Sequence, residues 1–388
     1  MTTPVPSSTA SLRRIVVRGV NWLGDAVMTT PALQRLREAL PDAHLTLLTH
    51  EKLADLWQHH PSLNSIITFS PGENPWLVAR RLRAENFQAA LVLPNSPRSA
   101  LEVWLARIPL RIGYARPWRN RLLTQPLAPR PGQVRMPKRS ASEIRRLTRH
   151  LAGGPLPAAR LSPHRFAHQS YDYLHLAAAL GANPEPLPPR LEVTAAEMRQ
   201  ATDAFLSDGH ARVQSPVPEK PLILLGMNPG AEYGPAKRWP AESFAAVARQ
   251  VSGRITNCLW LAFGGAGDRE LCGDIARLAG DRVLNLAGKT SLRELMALVK
   301  LCRVVLTNDS GPMHVTAALG TPVVVPFGST SPELTGPGLP GDPRHELLTS
   351  GAPCSPCFRR TCPIDFRCMT GIGPERVVEA VCRAVSRR

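Results

Sequence analysis

Three loops of this chain place charged side chains and glycines where predicted β-strands end, which is where parallel sheets hold their ligands. The first loop is Arg18-Gly-Val-Asn-Trp-Leu-Gly-Asp25, and its carboxylate, Asp25, could serve as a general base. An aspartate at such a place can equally cap the next helix. Thr29, Thr30 and Pro31 already provide a helix start, which leaves Asp25 in the loop or in a short turn before that helix. Spacing alone keeps both interpretations open.

The second loop, Asn228-Pro-Gly-Ala-Glu-Tyr-Gly-Pro-Ala-Lys-Arg-Trp-Pro240, combines two glycines with two adjacent cations. Glycines let the backbone approach a ligand closely, and exposed amides in such a loop bind anions. Lys237 and Arg238 would add positive charge beside a diphosphate. The alternative is a long turn whose cations are simply solvated.

The third loop, Asn308-Asp-Ser-Gly-Pro-Met-His314, lies between a predicted strand and a short helix. A strand, a glycine loop and a helix N-terminus form an anion site through their amides and the helix dipole. The alternative is structural: Asp309 or Ser310 only caps the helix, and His314 only packs in its first turn. The Gly311-Pro312 step makes a tight, pre-shaped loop, which favours ligand binding.

Four of the eight cysteines cluster as Cys354-x2-Cys357-x4-Cys362-x5-Cys368. In a cytoplasmic protein such a group is more often a metal site or a set of reduced thiols than a disulfide framework. The first pair has the spacing of a zinc site, but the second half does not repeat it. A structural metal and free thiols therefore stay as alternatives.

The chain has 388 residues and carries a net charge of +17, from 47 Lys and Arg against 30 Asp and Glu. Arginine-favouring codons of a GC-rich genome explain such an excess, and so does an anionic partner such as nucleic acid, a phosphorylated small molecule or a membrane surface. Residues 111–150 hold eleven Lys and Arg and one acid, Glu143, which favours a docking face. No nucleic-acid-binding module accompanies this stretch, so no nucleic-acid partner is expected.

Neither a signal peptide nor a membrane-spanning segment is indicated. The N-terminus lacks the apolar core of a signal peptide. The longest uncharged stretch, residues 311–332, is broken by prolines and by Gly320. We therefore expect a cytoplasmic protein.

Positioning these loops requires a sheet, and short apolar strands alternate with amphipathic helices over both halves. The predicted strands are 15–20, 45–49, 65–69, 90–94, 110–114, 222–227, 258–263, 282–286, 303–307 and 322–327. The predicted helices are 32–40, 52–59, 75–84, 98–106, 195–206, 241–251, 269–279, 292–301, 313–319 and 374–387. This rhythm is typical of βαβ units, and two sets of them predict an α/β chain with two Rossmann-like domains.

The domain boundaries follow from composition. We predict a flexible extension over 1–11, a first domain over 12–184, a Pro-rich linker region over 185–221 and a second domain over 222–388. The ligand site is then expected in a cleft between the domains. The loop after the first predicted strand lacks G-x-G-x-x-G, which argues against a nucleotide-dependent oxidoreductase.

The loops, in this order, resemble those of the ADP-heptose–lipopolysaccharide heptosyltransferases, and within that family most closely the members that add the second heptose. The resembling stretches are 21–37, 93–101, 228–240, 286–292 and, most specifically, 307–337. The resemblance implies the GT-B architecture, in which two doubly wound, Rossmann-like parallel-sheet domains face each other across a cleft. The first domain would hold the acceptor and the second the nucleotide sugar. The C-terminal helix, here 374–388, commonly crosses back towards the first domain.

The resemblance also implies a role for individual residues. Asp25 matches the catalytic base, and Lys237 matches a lysine that contacts the donor phosphates. Further residues on the donor side are Gly230, Asp309, Ser310, Gly311 and His314. The acceptor side would hold Asn95, Ser96, Arg98 and Arg116.

The expected activity is an inverting transfer of L-glycero-D-manno-heptose from ADP-heptose to the heptose of the Kdo–lipid A inner core. No Asp-x-Asp motif accompanies the donor loops, so no cofactor is expected beyond the structural metal considered for the cysteines. The acceptor is anionic and membrane-anchored, which implies peripheral contact with the cytoplasmic face of the inner membrane.

Two alternatives stay open beside this function. Transferases for the first or third heptose share the same loops. A non-catalytic basic protein that binds nucleic acid or anionic lipid would explain the charge, but it would not explain the loops at matching strand ends.

Overall fold

A computed structural model describes residues 12–149, 167–207 and 221–387. Its strands are β1 Arg14–Arg18, β2 His44–His50, β3 Ser65–Phe69, β4 Ala89–Val92, β5 Leu110–Tyr114, β6 Gln125–Leu127, β7 Ile223–Asn228, β8 Cys258–Ala262, β9 Val283–Asn285, β10 Val304–Thr307, β11 Val323–Phe327 and β12 Glu346–Thr349. None of the helices in the described ranges is both long enough and apolar enough to cross a bilayer.

Most helices alternate with these strands as predicted, but the helices at 23–28, 141–148, 170–178, 332–335 and 367–370 were not predicted, and the predicted helix 52–59 is a 3₁₀ helix. The α-helices are α1 Leu23–Met28, α2 Thr30–Ala39, α3 Pro75–Ala84, α4 Pro97–Leu105, α5 Ala141–Thr148, α6 Ser170–Ala178, α7 Ala195–Leu206, α8 Ala241–Arg254, α9 Arg269–Ala279, α10 Leu292–Leu301, α11 Gly311–Ala318, α12 Pro332–Thr335, α13 Arg367–Thr370 and α14 Pro374–Ser386. Short 3₁₀ helices cover Glu51–Trp57, Asn120–Leu122, Pro235–Lys237 and Ala266–Asp268.

The described residues form two compact units. Unit 1 holds residues 12–134 and 167–192, and unit 2 holds 135–149, 193–207 and 221–387. Each unit contains one six-stranded parallel sheet. The central strands are buried along nearly their whole length, as expected when helices cover both faces of a parallel sheet.

In unit 1 the strand order is β3-β2-β1-β4-β5-β6. The order reverses between β1 and β4, which pair in register as Ile15 with Ala89 and Arg18 with Val92. Loops that leave neighbouring strands at such a reversal diverge to opposite faces and leave a crevice between them. The loops that carry Asp25 and Asn95 start at this crevice.

Unit 2 repeats this arrangement in the order β12-β11-β10-β7-β8-β9. The reversal lies between β7 and β10, whose last residues, Asn228 and Thr307, are paired. Both anion-binding loops predicted from the sequence therefore leave the sheet side by side.

The unit boundaries differ from the predicted domain boundaries in three places. Residues 135–149 belong to unit 2, where Ile144 joins the core. Residues 185–192 belong to unit 1, where the Gln34 side chain donates to the Pro188 carbonyl. Residues 193–207 belong to unit 2 through α7, whose Glu197 pairs with Arg293 at 2.7 Å. Residues 185–221 have the composition of a linker, and contacts with residues far away in the sequence leave no signal in local composition.

Two predicted segments fall outside the described residues: the extension 1–11 and the linker stretch 208–220. The C-terminal helix α14 uses its apolar face within unit 2, where Val377, Val378 and Val381 belong to the core. Its crossing towards the first domain stays a prediction.

The basic stretch 111–150, as far as it is described, contributes residues to both units. It is divided between the two units at residue 134. The Arg119 side chain is fully buried, and Arg130 pairs with Asp172 at 3.3 Å. Arg139 donates to the Pro353 carbonyl of unit 2. Several of these cations therefore serve internal contacts, whereas Arg121, Arg135, Lys138, Arg145, Arg146 and Arg149 are exposed, and the docking face stays a prediction.

Candidate active site

A polar pocket of about 320 Å³ opens at the crevice of unit 1. Its wall is formed by loops that follow β1, β4, β5 and β6 and by the start of α6. The lining residues that bear on function are Asn21, Trp22, Asp25, Asn95, Ser96, Tyr114, Arg116, Gln133, Gln169, Asp172 and Tyr173. The pocket therefore brings the candidate base together with hydroxyl, amide and guanidinium groups suited to a polar, anionic ligand.

Asp25 lies in the first turn of the six-residue helix α1 and is half-buried. The N-cap of α1 is Trp22, and no side chain caps this helix. The capping interpretation of Asp25 is therefore wrong, and its carboxylate is one of the groups that line the pocket.

Gln169 connects Asp25 to Tyr173. The Gln169 Nε2 donates to the Tyr173 hydroxyl at 2.8 Å and reaches Asp25 Oδ1 at 3.5 Å. Burial raises the pKa of the Tyr173 phenol well above its ordinary value, and the Asp25 charge raises it further. A phenol that stays neutral beside the carboxylate does not compete with Asp25 as a base.

Three of the four residues predicted for the acceptor side, Asn95, Ser96 and Arg116, line this pocket. Ser96 also caps α4 by accepting from the Ser99 amide. Arg98 does not line it: its Nε pairs with Glu102 at 3.0 Å. The second Glu102 oxygen pairs with Arg18 at 2.8 Å, and both of those side chains are buried. Arg98 therefore belongs to an internal ion network.

Arg119, which sequence reasoning did not select, holds part of the pocket wall. Its guanidinium donates to Asn95 Oδ1 at 3.3 Å and to the Tyr114 carbonyl at 3.2 Å. Burial, and secondarily the charge of Arg116, lowers the pKa of Arg119 to about 10. A Cβ on Gly113 would lie 2.8 Å from this guanidinium, so glycine is required where the arginine passes the strand.

In unit 2, Lys237 and Asp309 form a buried ion pair, with Nζ 2.6 Å from Oδ2. The Thr330 hydroxyl donates to the same Asp309 oxygen. The Lys237 ammonium also lies 4.8 Å from the centre of the Tyr233 ring. The loops after β7, β10 and β11 are thus joined through one carboxylate.

Asn308 fixes the backbone of the two predicted anion loops against each other. Its Oδ1 accepts from the Trp239 amide at 3.0 Å, and its Nδ2 donates to the Pro229 carbonyl at 2.6 Å. Because both ends of the 228–240 loop are tied to one side chain, Lys237 is presented at a defined place.

The structure does not support the capping interpretations of Asp309 and Ser310. No side chain caps α11. Ser310 Oγ donates to the Asn308 carbonyl, and His314 is buried in the first turn of the helix. Gly230 packs on Asp268, because a Cβ there would lie 2.6 Å from its Oδ2. Gly230 is therefore needed for a close approach between two loops.

The cysteine-rich segment 354–368 contacts the 228–240 loop, which carries Lys237. The Tyr233 hydroxyl donates to the Phe358 carbonyl at 2.8 Å, and the Ala236 amide donates to the Arg360 carbonyl at 3.0 Å. The Arg360 guanidinium lies 5.3 Å from the Tyr233 ring centre. The amides of Cys357 and Phe358 both donate to the Ser329 carbonyl. This segment therefore positions the backbone that carries Lys237.

None of the four clustered cysteines forms a disulfide, and three of them are buried. Burial raises the pKa of Cys368 to about 12, with further contributions from Cys354, Cys357 and Cys362, so the four groups are neighbours. Within the described ranges, no group of three or more His, Cys, Asp or Glu residues is arranged to hold a metal ion. The structural metal stays a prediction that metal analysis of purified protein would test.

Comparison with known proteins decides the family. The model of glycosyltransferase family 9 (heptosyltransferase) matches residues 156–366, more than half of the chain. The chain belongs to glycosyltransferase family 9. It is therefore a glycosyltransferase, and the pocket of unit 1 and the loops of unit 2 are each a candidate functional site of this transferase.

Curated relatives in this family are similar over most of their length. Lipopolysaccharide heptosyltransferase 2 of Salmonella typhimurium is 32% identical over 84% of this chain and 85% of the relative. The Escherichia coli protein of the same name is 31% identical over the same shares. Lipopolysaccharide heptosyltransferase 1 of Pseudomonas aeruginosa is 24% identical over 94% of this chain and 96% of the relative.

The fold comparison agrees. The structure of E. coli ADP-heptose lipopolysaccharide heptosyltransferase II superposes with a TM-score of 0.71 and 26% identity, covering 96% of this chain and 99% of that one. A family 9 glycosyltransferase of Veillonella parvula gives a TM-score of 0.75 at 24% identity, covering 97% and 98%. The predicted fold class, GT-B with two Rossmann-like parallel-sheet domains, is confirmed.

Proposed function

We propose that this family 9 glycosyltransferase moves L-glycero-D-manno-heptose from ADP-heptose to the heptose already present on the lipopolysaccharide inner core. The observation that carries the proposal is the 31–32% identity to two heptosyltransferase 2 proteins over 84% of the chain. The heptosyltransferase 1 relative has a lower identity, 24%. The second-heptose acceptor is therefore favoured over the heptose-free one.

In the proposed mechanism Asp25 removes the proton from an acceptor hydroxyl bound in the pocket of unit 1. The hydroxyl oxygen attacks the anomeric carbon from the face opposite ADP, the bond to the diphosphate oxygen breaks, and the configuration inverts. Gln169 supports this role because its amide group donates towards the Asp25 carboxylate and ties it to the neutral Tyr173.

The donor diphosphate is assigned to the loops that Lys237, Asp309 and Gly311 occupy in unit 2. Lys237 would share its ammonium between Asp309 and the leaving diphosphate, whose negative charge grows as the bond breaks. The backbone at the start of α11 would add its helix dipole. Because these groups would supply the stabilisation, the proposal includes no required cofactor.

The acceptor of this reaction is anionic and attached to lipid. Arg116 and the amide groups of Asn95 and Gln133 line the pocket that would receive its sugar end. A lipid-anchored substrate also requires the enzyme to work beside a membrane, and we include peripheral contact with the cytoplasmic face of the inner membrane in the proposal.

The experiment is a donor comparison with purified protein. ADP-heptose, ADP-glucose and a UDP-sugar are each incubated with heptosylated Kdo–lipid A, and the product mass is measured. The proposal expects the mass of one added heptose from ADP-heptose only. Transfer from the UDP-sugar, or no product from ADP-heptose, would contradict it.

A further inference from the structure

Helices α3 and α4 lie side by side on one face of the unit 1 sheet. Arg98 in the first turn of α4 donates to the Glu73 carbonyl just before α3, and Arg83 near the end of α3 donates to the Leu105 carbonyl at the end of α4. The helices are therefore parallel and in register. Their inward residues, Val78 and Leu82 of α3 and Val103 of α4 among them, belong to one core cluster.

The outward side of this pair, here called the α3–α4 face, carries large apolar groups in contact with solvent. It comprises Trp76, Leu77, Arg80, Arg81 and Arg83 of α3, Trp104 of α4, and Arg107 just after it. Trp76 is 63% exposed, Leu77 53% and Trp104 44%. Six large hydrophobic side chains are exposed among the described residues, and three of them lie on this face. Such a concentration on a folded domain marks an interaction surface.

The charge of the α3–α4 face is positive. Arg80, Arg83 and Arg107 are exposed. The nearby acids are already paired within the protein: Glu73 with Arg81 at 2.6 Å, and Glu85 with Arg14. Tryptophan rings between arginines suit the head-group region of a bilayer, because the ring is apolar with a polar edge and anionic lipid attracts the guanidinium groups.

We propose that the α3–α4 face docks on a bilayer that contains anionic phospholipid, with the Trp76 and Trp104 rings in the head-group region. The need for a membrane rests on the proposed function, whose acceptor is lipid-anchored. Ser96, the N-cap residue of α4, also lines the Asp25 pocket. A bilayer on this face therefore lies next to the pocket that receives the acceptor.

The experiment is vesicle co-sedimentation of the purified full-length protein, with phosphatidylcholine vesicles made with and without phosphatidylglycerol. Wild-type protein is expected to sediment with the anionic vesicles only. Each tryptophan ring that buries about 60 Å² of apolar surface in the bilayer should raise the partition coefficient about tenfold. The double variant Trp76→Ser, Trp104→Ser should lose this factor for each ring. Arg80→Gln and Arg107→Gln should lower the partition coefficient by about fivefold each.

Matched controls separate this face from the general surface. Trp118 is 85% exposed but lies in the loop after β5, and Arg199 and Arg277 are exposed in unit 2. Trp118→Ser and the pair Arg199→Gln, Arg277→Gln should keep wild-type partitioning, and all variants should keep the wild-type melting temperature. Equal losses in the controls, or full vesicle binding by the tryptophan double variant, would overturn the proposal. Absence of co-sedimentation of the wild-type protein with anionic vesicles would also overturn the proposal. The α3–α4 face would then be a surface for an acidic protein.

A second readout distinguishes this failure from a failure of the proposed function. ADP release is measured with the acceptor embedded in anionic vesicles and with the same acceptor after removal of its acyl chains. The proposal expects the tryptophan double variant to lose rate only with the embedded acceptor. Equal rates of ADP release by that variant and the wild type on the embedded acceptor would contradict docking. No ADP release by the wild type with either acceptor would contradict the proposed function, and the vesicle co-sedimentation result would still test docking.

Discussion

The Lys237 ammonium lies 2.6 Å from a carboxylate oxygen of Asp309, and both side chains are shielded from solvent. The lysine is therefore held in place before any donor arrives, and the carboxylate is compensated only while the lysine is present. Replacing Lys237 removes a cation from the proposed donor site, and it leaves the buried Asp309 carboxylate with a hydrogen bond from the Thr330 hydroxyl but without its ion pair.

Lys237→Ala should consequently weaken use of the donor. We expect kcat/KM for ADP-heptose to fall by the equivalent of about 1–3 kcal/mol, the range for a charge-assisted contact and an unpaired buried charge. Lys138, an exposed lysine of the same unit, provides the control. Donor kinetics of Lys237→Ala that match those of Lys138→Ala would remove Lys237 from the donor site.

Asp25→Asn should abolish transfer and leave nucleotide binding intact. The amide cannot accept the acceptor proton, and the expected loss in kcat is about 10²–10⁴-fold. Stabilisation of the melting temperature by ADP reports binding independently. Asp42→Asn, at an exposed carboxylate of unit 1, is the matched control. Substantial turnover by the Asp25 variant would show that another group acts as base.

Gln169→Glu should shift the pH dependence of the reaction. A second carboxylate beside Asp25 disfavours its ionised form, so the pKa of Asp25 rises and the acid limb of the kcat/KM profile moves to higher pH. Gln169→Ala removes the hydrogen bonds without adding a charge, so it should lower the rate with a smaller shift of this limb. Identical acid limbs in wild type and Gln169→Glu would show that Gln169 does not act through Asp25.

Tyr233→Phe tests whether the cysteine-rich segment positions the donor loop. The change removes the hydrogen bond to the Phe358 carbonyl and keeps the ring beside Lys237. We expect a weaker ADP-induced rise in melting temperature and a higher KM for ADP-heptose. Tyr171→Phe, in unit 1, serves as the control. An unchanged KM for ADP-heptose would mean that the Tyr233 contact does not support the loop.

Glu102→Gln should destabilise the protein. Glu102 is fully buried between Arg18 and Arg98, and the neutral amide would leave the buried Arg18 charge uncompensated. The expected loss in the free energy of unfolding, measured by urea denaturation, is about 3–5 kcal/mol. The exposed pair of Glu85 with Arg14 predicts a loss below about 1 kcal/mol for Glu85→Gln. Similar losses in both variants would show that burial of Glu102 is not what makes its pair important.

Local sequence patterns predicted most of the strands and many of the helices, but not α1, which carries Asp25, or α6, which carries Tyr173. Helices α3, α7, α9 and α10 begin and end at the predicted residues, because Pro, Ser, Thr, Asn or Asp marks their starts and their apolar faces are periodic. Strands β6 and β12 were not predicted. β6, with the sequence Gln-Pro-Leu, is a three-residue edge strand, and β12 is also an edge strand that is only partly buried, so neither has the apolar run of a central strand.

Sequence reasoning could select the charged residues of the loops as candidates, but it did not select the residues that contact them from other elements. Asp25, Lys237 and Asp309 follow strands in glycine-containing loops, a local signal that sequence reasoning can use. Gln169 and Arg119 act through side chains that cross from other elements, and neither lies in a motif. Arg98 was assigned to the acceptor side by its position in a resembling stretch, although its i,i+4 spacing from Glu102 on a predicted helix is a local signal of the ion pair that the structure shows.

The most direct test of the central claim measures ADP release from ADP-heptose with two acceptors, heptosyl–Kdo–lipid A and heptose-free Kdo–lipid A. The account predicts release with the heptosylated acceptor and background release with the other, and it predicts loss of that release in Asp25→Asn. Release only with the heptose-free acceptor would contradict it by making this chain the first-heptose enzyme.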